Sequence, residues 1–126
     1  MPAHILVIDD SELMTELAAE FLEQAGYRVS TVNDPHFAML EIQTGRPDLV
    51  VLDVDMPGLS GLDILKMIRE TPAFAALPVI MITAHGQTHR IVASFAQGAS
   101  DYIFKPYDGR DLVDRVRRAL SVKQAA

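Results

Sequence analysis

The sequence predicts an α/β domain built on a doubly wound, five-stranded parallel sheet with strand order 2-1-3-4-5. Three observations predict it. Short, continuous apolar runs rich in β-branched residues recur along the chain: Ile5-Leu6-Val7-Ile8, Leu49-Val50-Val51-Leu52, Val79-Ile80-Met81-Ile82 and Tyr102-Ile103-Phe104. Runs of this kind read as strands buried on both faces, the habit of parallel sheets. Helical apolar spacing fills the intervals between them. Successive strands start roughly 20 to 30 residues apart, enough for a right-handed helical crossover.

The elements follow in order. After the first run, Leu13, Leu17, Phe21 and Ala25 recur every fourth residue, with Met14, Ala18 and Leu22 beside them. Ser11 is a fitting N-cap for that helix, and Gly26 fits the position past its end. Arg28 to Val32 alternates polar and apolar residues, which marks an edge strand. Asp34-Pro35 is a cap followed by proline at the first helical position, opening a helix toward Ile42. The Leu49 run is the third strand, and Leu62 to Arg69 is the helix behind it. The Val79 run is the fourth strand, followed by a helix from Thr88 to Gln97 that Gly98 closes. Tyr102 to Phe104 is short and suits the other edge. Asp108 opens a last helix carrying Leu112, Val113, Val116, Ala119 and Leu120. The β-α unit therefore repeats five times.

Composition narrows the function. The chain has 126 residues, one ordinary domain. Aspartate and glutamate outnumber lysine and arginine 17 to 11, giving a net charge of -6. A domain this acidic is a poor candidate for gripping nucleic acid unaided. It has no cysteine, which removes disulfides, thiolate metal sites and cysteine nucleophiles. No apolar run approaches the roughly 20 residues of a membrane span, and the start lacks the features of a signal peptide. The expectation is a cytoplasmic protein.

The informative residues stand directly after the strands. Asp9 and Asp10 follow the first, Asp53 the third, Thr83 the fourth and Lys105 the fifth. In an open α/β sheet the ligand crevice lies at the carboxyl ends of the strands, where the strand order reverses, here between strands one and three. Asp9, Asp10 and Asp53 should converge there, with Thr83 and Lys105 to one side. Two carboxylates 4 Å apart repel by about 1 kcal/mol in water and about 4 kcal/mol at an effective dielectric of 20. One lysine does not balance three of them, so the cluster binds a cation or holds a proton. Oxygen ligands that do not wrap the ion suit Mg²⁺. A metal, an ammonium and a hydroxyl facing a carboxylate make a site for phosphoryl transfer, with the carboxylate able to act as nucleophile and form an acyl phosphate. Any one of these residues taken alone reads as a cap or turn residue. The five together, at one edge, do not.

At this point the sequence resembles the receiver domain of two-component response regulators, a flavodoxin-like fold, over nearly its whole length. The segments that carry the resemblance are 5–11 (ILVIDDS), 52–61 (LDVDMPGLSG), 82–84 (ITA) and 98–106 (GASDYIFKP). The resemblance implies that Asp53 accepts a phosphoryl group from a phosphohistidine on a sensor histidine kinase or a histidine phosphotransfer protein. It implies that Mg²⁺, or Mn²⁺ in its place, is held by Asp10, Asp53 and the backbone carbonyl of Asp55, with Asp9 acting largely through water. Lys105 and the Thr83 hydroxyl would each contact a phosphoryl oxygen. Thr83 would move toward the group and Tyr102 would rotate into the space it leaves. The Lys105-Pro106 bond would be cis. The output surface would be the fourth helix, fifth strand and fifth helix, with Arg90, Tyr102, Arg110, Arg117 and Arg118 among its possible contacts. The arginines also fit a plain solvated helix surface. The partner downstream would be a protein target or a fused output domain, with no nucleic acid or membrane bound directly.

Asp55 and His85, each two residues past a site residue, border the path of attacking water and are expected to tune hydrolysis of the acyl phosphate. A carboxylate at Asp55 either orients that water or repels it, and a solvated loop residue acting only through its backbone is an equal reading. His85 and His89 have a zinc-compatible spacing, but the glutamate of a zinc-protease motif and a third ligand are missing. His4 and His36 read as surface residues. Asp53-Val54-Asp55 also resembles the nucleophile motif of haloacid-dehalogenase-type phosphatases, an enzymatic alternative. Those enzymes carry that motif on the first strand, whereas here the acidic pair comes first. A receiver fold used only for phosphorylation-independent docking is a third reading, which the full set of site residues opposes. The tail 121–126 is too short for an output domain. The sequence thus reads as one receiver over residues 1–126, assisting its own phosphorylation and dephosphorylation and turning over no separate substrate.

Overall fold

The computed structural model describes residues 2–84 and 97–125. Five strands, β1 (His4–Ile8), β2 (Arg28–Val32), β3 (Leu49–Asp53), β4 (Val79–Ala84) and β5 (Asp101–Lys105), form one sheet in the order β2-β1-β3-β4-β5. Every pairing is parallel. Side chains of successive residues leave a strand on opposite faces, and here both faces are covered. Leu6, Ile8, Val50, Leu52 and Met81 pack against α2 (Ala38–Gly45) and α3 (Gly61–Glu70) through Ile42, Ile64, Leu65 and Ile68. Ile5, Val7, Val51, Ile80, Ile82 and Ile103 pack on the other side against α1 (Glu12–Gln24) and the C-terminal helix (Gly109–Ala125). Burial on both sides is what made the central strands legible as unbroken apolar runs.

The caps behave as their chemistry requires. The Ser11 hydroxyl accepts from the Met14 N–H at 3.3 Å, and Gly26 past α1 has φ +98°. Ser60 and Asp63 close a capping box at the start of α3. The expected helix after Asp34-Pro35 divides in two: a 3-10 turn, Pro35–Phe37, with Asp34 accepting the His36 N–H at 3.0 Å, then α2. Arg115 fastens the edge strand β5 to the C-terminal helix, reaching Asp101 at 2.8 Å, Asp111 at 3.2 Å and the Tyr102 carbonyl at 3.0 Å. Arg110, Arg117 and Arg118 are exposed on that helix. The expected helix 88–97 lies outside the described residues except for its last member, as do His85, His89 and Arg90. No helix among the described residues is long and apolar enough to cross a membrane.

One helical pattern is resolved and one expectation corrected. The stripe Leu13, Leu17, Phe21 does not face the core. These residues are 64%, 41% and 40% exposed, while Thr15, Ala18 and Leu22 are buried. A spacing of four advances about 40° per step around a helix of 3.6 residues per turn, so such a row winds off one face. The smaller Thr15 and Ala18 also let α1 lie close to the sheet. His4 is buried, at 7% exposure. Its Nε2 lies 2.7 Å from the Ser30 hydroxyl, and its backbone N–H donates to Asp48 Oδ2 at 2.7 Å. Strand β1 therefore begins one residue earlier than the apolar run suggests. His36 is exposed as expected.

Gly61, the first residue of α3, is buried against the end of β3. Its N–H donates to the Val54 carbonyl at 3.0 Å, and a Cβ there would drive into the Asp53 carbonyl and Val54. Backbone cannot give way as a side-chain tip can. Gly61→Ala is expected to lower stability by about 1–3 kcal/mol, measured as a fall in the urea midpoint at unchanged m-value. An unaltered midpoint would refute the close approach.

Candidate functional site

The register of the central strands assembles the site. Ile8 pairs with Leu52, Asp53 with Ile82, and Ala84 with Lys105. Asp9, one residue past β1, thus emerges beside Asp53, the last residue of β3. Asp53 is 2% exposed, Asp9 is buried and Asp10 is exposed. One carboxylate oxygen from each of the three lies within 4.8 Å of the others. Lys105, the last residue of β5, brings its Nζ to 3.1 Å from Asp53 Oδ1 and 3.6 Å from Asp9 Oδ2. Thr83, next to last in β4, is buried. Asp9, Asp10, Asp53, Thr83 and Lys105 are thereby gathered at one edge of the sheet.

The loop carrying Asp9 and Asp10 is held on several sides. The Asp9 N–H donates to the Val32 carbonyl at 3.1 Å, and Asp9 Oδ1 accepts the Ser11 N–H at 3.0 Å. The Asn33 amide donates to the Asp9 carbonyl at 2.9 Å and to the Thr15 hydroxyl at 3.0 Å. Sequence reasoning passed over Asn33, which looks like an ordinary residue at a strand end. It also passed over Tyr107, whose phenol burial pushes up, with the Asp9 charge acting in the same direction.

Charge is out of balance. Burial, and after it the neighbouring Asp9, push the Asp53 carboxyl up to about 6, although Lys105 and the Asp55 backbone N–H pull the other way. Asp9 is raised by burial, against the opposing pull of the Ser11 N–H and Lys105. Lys105 is driven down by burial, but Asp53 and Asp9 outweigh that and hold its proton on. One ammonium faces three carboxylates. Asp53 Oδ1 has the Lys105 ammonium 3.1 Å away as its ion-pair partner. Thr83 Oγ1 is buried with no hydrogen-bond partner among the described residues. Buried polar atoms in that condition cost about 1–3 kcal/mol each. An oxygen-only donor set short of positive charge fits a hard divalent cation such as Mg²⁺.

Tyr102 is half-buried in β5, its ring edge-on to Phe104 at 5.4 Å between centroids. Asp55 is exposed in the loop after β3. The Lys105-Pro106 peptide is cis. His85 lies outside the described residues.

The family model for the response regulator receiver domain matches residues 5–117. The chain belongs to this family. It is 36% identical over 120 residues to the DNA-binding response regulator MtrA of Mycobacterium tuberculosis, covering 95% of this chain and 51% of that one. It is 36% identical over 116 residues to the phosphate regulon transcriptional regulatory protein PhoB of Rhizobium meliloti, covering 92% of this chain and 51% of that one. The chain spans about half the length of the curated relatives it matches. Among solved structures it resembles the chemotaxis protein CheY4 of Vibrio cholerae, with TM-score 0.89 and 28% identity over 94% of this chain and 99% of that one. It also resembles the receiver domain of NtrX from Brucella abortus, with TM-score 0.86 and 35% identity over 93% of this chain and 98% of that one. The protein is a receiver domain of the two-component kind, with a flavodoxin-like fold.

Asp53 holds its proton more tightly when folded, at about 6, than in the unfolded chain, where 3.8 is ordinary. Ionised Asp53 therefore destabilises the fold above that folded value, and the penalty is relieved as pH falls from about 6 toward 4. A difference of this size corresponds to about 3 kcal/mol. In metal-free buffer, Asp53→Asn is expected to raise the urea midpoint at about pH 7 and to flatten the stability profile between about pH 4 and 6. Equal or lower stability of the variant at neutral pH would contradict the assignment.

Proposed function

We propose that Asp53 is the phosphoryl acceptor through which a histidine kinase or histidine phosphotransfer protein switches this domain. One observation carries the reading. A buried carboxylate at the end of a central strand is met by two further carboxylates and an ammonium, and the neighbouring strand carries a buried hydroxyl, Thr83, with no hydrogen-bond partner among the described residues. An ionised Asp53 oxygen attacks phosphorus of a phosphohistidine. The O–P bond forms, the P–N bond breaks, and its electron pair leaves on the imidazole nitrogen of the donor. Lys105 meets the negative oxygens of the transferring group as a compact point charge. The Thr83 hydroxyl donates to another of them, which gives that buried group the partner it lacks. Asp10, Asp53 and the Asp55 carbonyl would hold Mg²⁺, or Mn²⁺ in its place, with Asp9 acting on it largely through water. When bound, the ion supplies the positive charge that three carboxylates and one ammonium leave wanting.

The acyl phosphate adds charge and acceptor oxygens at a fixed point. Thr83 and Lys105 follow them, Tyr102 turns into the space Thr83 leaves, and the face around β5 and the C-terminal helix changes state toward a protein target or a fused output domain. Water attack on the acyl phosphate resets the switch, so residues 1–126 work as one receiver unit in the cytoplasm that promotes only its own phosphorylation and dephosphorylation.

Incubation with acetyl phosphate and Mg²⁺ is expected to add a single phosphoryl group, seen by intact mass spectrometry and localised to Asp53. Asp53→Asn or chelation of the metal should abolish it. An adduct on another residue, or none, would sink the proposal. Asp55→Asn and His85→Ala are expected to change the dephosphorylation rate followed by loss of the adduct. Unchanged rates in both would remove their tuning role.

A further inference from the structure

We infer that Asn33 is a positioning residue for the acidic pair: its amide fixes the peptide between Asp9 and Asp10 and so sets how both carboxylates meet a divalent cation. The inference rests on the cation reading above and adds a residue that neither that reading nor the sequence motifs include. Asn33 is the first residue past β2. Its Nδ2 lies 2.9 Å from the Asp9 carbonyl and 3.0 Å from Thr15 Oγ1. A carbonyl only accepts, so the nitrogen of the amide must face it. The Thr15 hydroxyl already donates to the Glu12 carbonyl at 3.0 Å, so it accepts from Asn33. Both amide protons are used. Aspartate has none to give, and serine is too short to span both acceptors.

The consequence lies in which carbonyl is held. The Asp9 carbonyl belongs to the peptide plane that joins Asp9 to Asp10. The Val32 carbonyl takes the Asp9 N–H at 3.1 Å, so strand β2 and the residue after it grip Asp9 at both of its backbone groups. The Asp9 side chain is fixed separately by the Ser11 N–H and Lys105. Asp10 is exposed, so burial does not orient it, and the direction of its Cα–Cβ bond follows from the peptide plane that Asn33 holds. Removing the amide frees that plane to rotate and spreads Asp10 over several directions. Partners that orient ligands in this way commonly weigh on metal affinity.

The test measures Mg²⁺ affinity of the full chain by titration calorimetry with Mg²⁺ alone, beside urea unfolding in metal-free buffer. Asn33→Ala is expected to weaken Mg²⁺ binding about tenfold. Thr15→Val removes the other end of the clamp but leaves the Asn33 bond to Asp9. It is expected to lower the urea midpoint while weakening Mg²⁺ binding by less than about threefold. Asn33→Ser takes the place of the alanine variant if the latter does not fold. Affinity unchanged in the Asn33 variant, or weakened equally in both variants, overturns the inference, because the amide would then serve only the packing of α1. Wild-type protein that binds no Mg²⁺ overturns the cation reading and this inference with it.

Discussion

The constraint on which the structure turns is a shortage of positive charge inside the sheet. Asp53 sits at the end of a central strand, with strands on both sides and helices on both faces, where water does not screen it. Asp9 emerges alongside because the two strands pair in parallel with Ile8 opposite Leu52. Lys105 arrives from the far edge strand, reaching past β4 to lie 3.1 Å from Asp53. That single ammonium leaves the group under-compensated, which is why burial and Asp9 prevail over it in raising the Asp53 carboxyl to about 6. A site in that condition gains from any added cation that accepts oxygen ligands.

The rest of the fold tolerates this strain because it is stable elsewhere. The two apolar layers, one under α2 and α3 and one under α1 and the C-terminal helix, bury the central strands completely up to their last residues. The polar residues begin where the strands end. Charge repulsion at the edge is therefore set against a core that does not depend on the edge. The close approach of Gly61 to the end of β3 and the capping box that follows it keep the loop after Asp53 short and ordered. Asp55 can then bring its backbone N–H to the Asp53 carboxylate.

The sheet and the convergence of acidic and basic side chains at one rim were legible in the sequence for one physical reason. Parallel strands buried on both faces read as continuous apolar runs, and the acids, hydroxyl and ammonium come directly after them. What was not legible depended on contacts between distant segments. The row Leu13, Leu17, Phe21 looks like a core stripe, but nothing in its spacing reveals that the buried Thr15 has a hydrogen-bond partner in Asn33, which lets the smaller side face inward. His4 looks like a charged terminus, and only the parallel pairing of β1 with β2 brings Ser30 to its ring. Asn33 sits in no motif. Its role exists because the sheet order places the end of β2 next to the loop after β1.

That neighbourhood also explains why an edge strand can matter to a central site. β2 contributes few buried side chains, and its alternating pattern marks it as the least embedded strand. Yet its last residue and the one beyond it supply the acceptor and the donor that hold Asp9 in place. A parallel sheet aligns the carboxyl ends of all its strands along one rim. A strand with little part in the core can therefore still act on the residues of the next strand at that rim. The chemistry of the central pair is then set partly by backbone groups and one amide from outside it, rather than by the carboxylates alone.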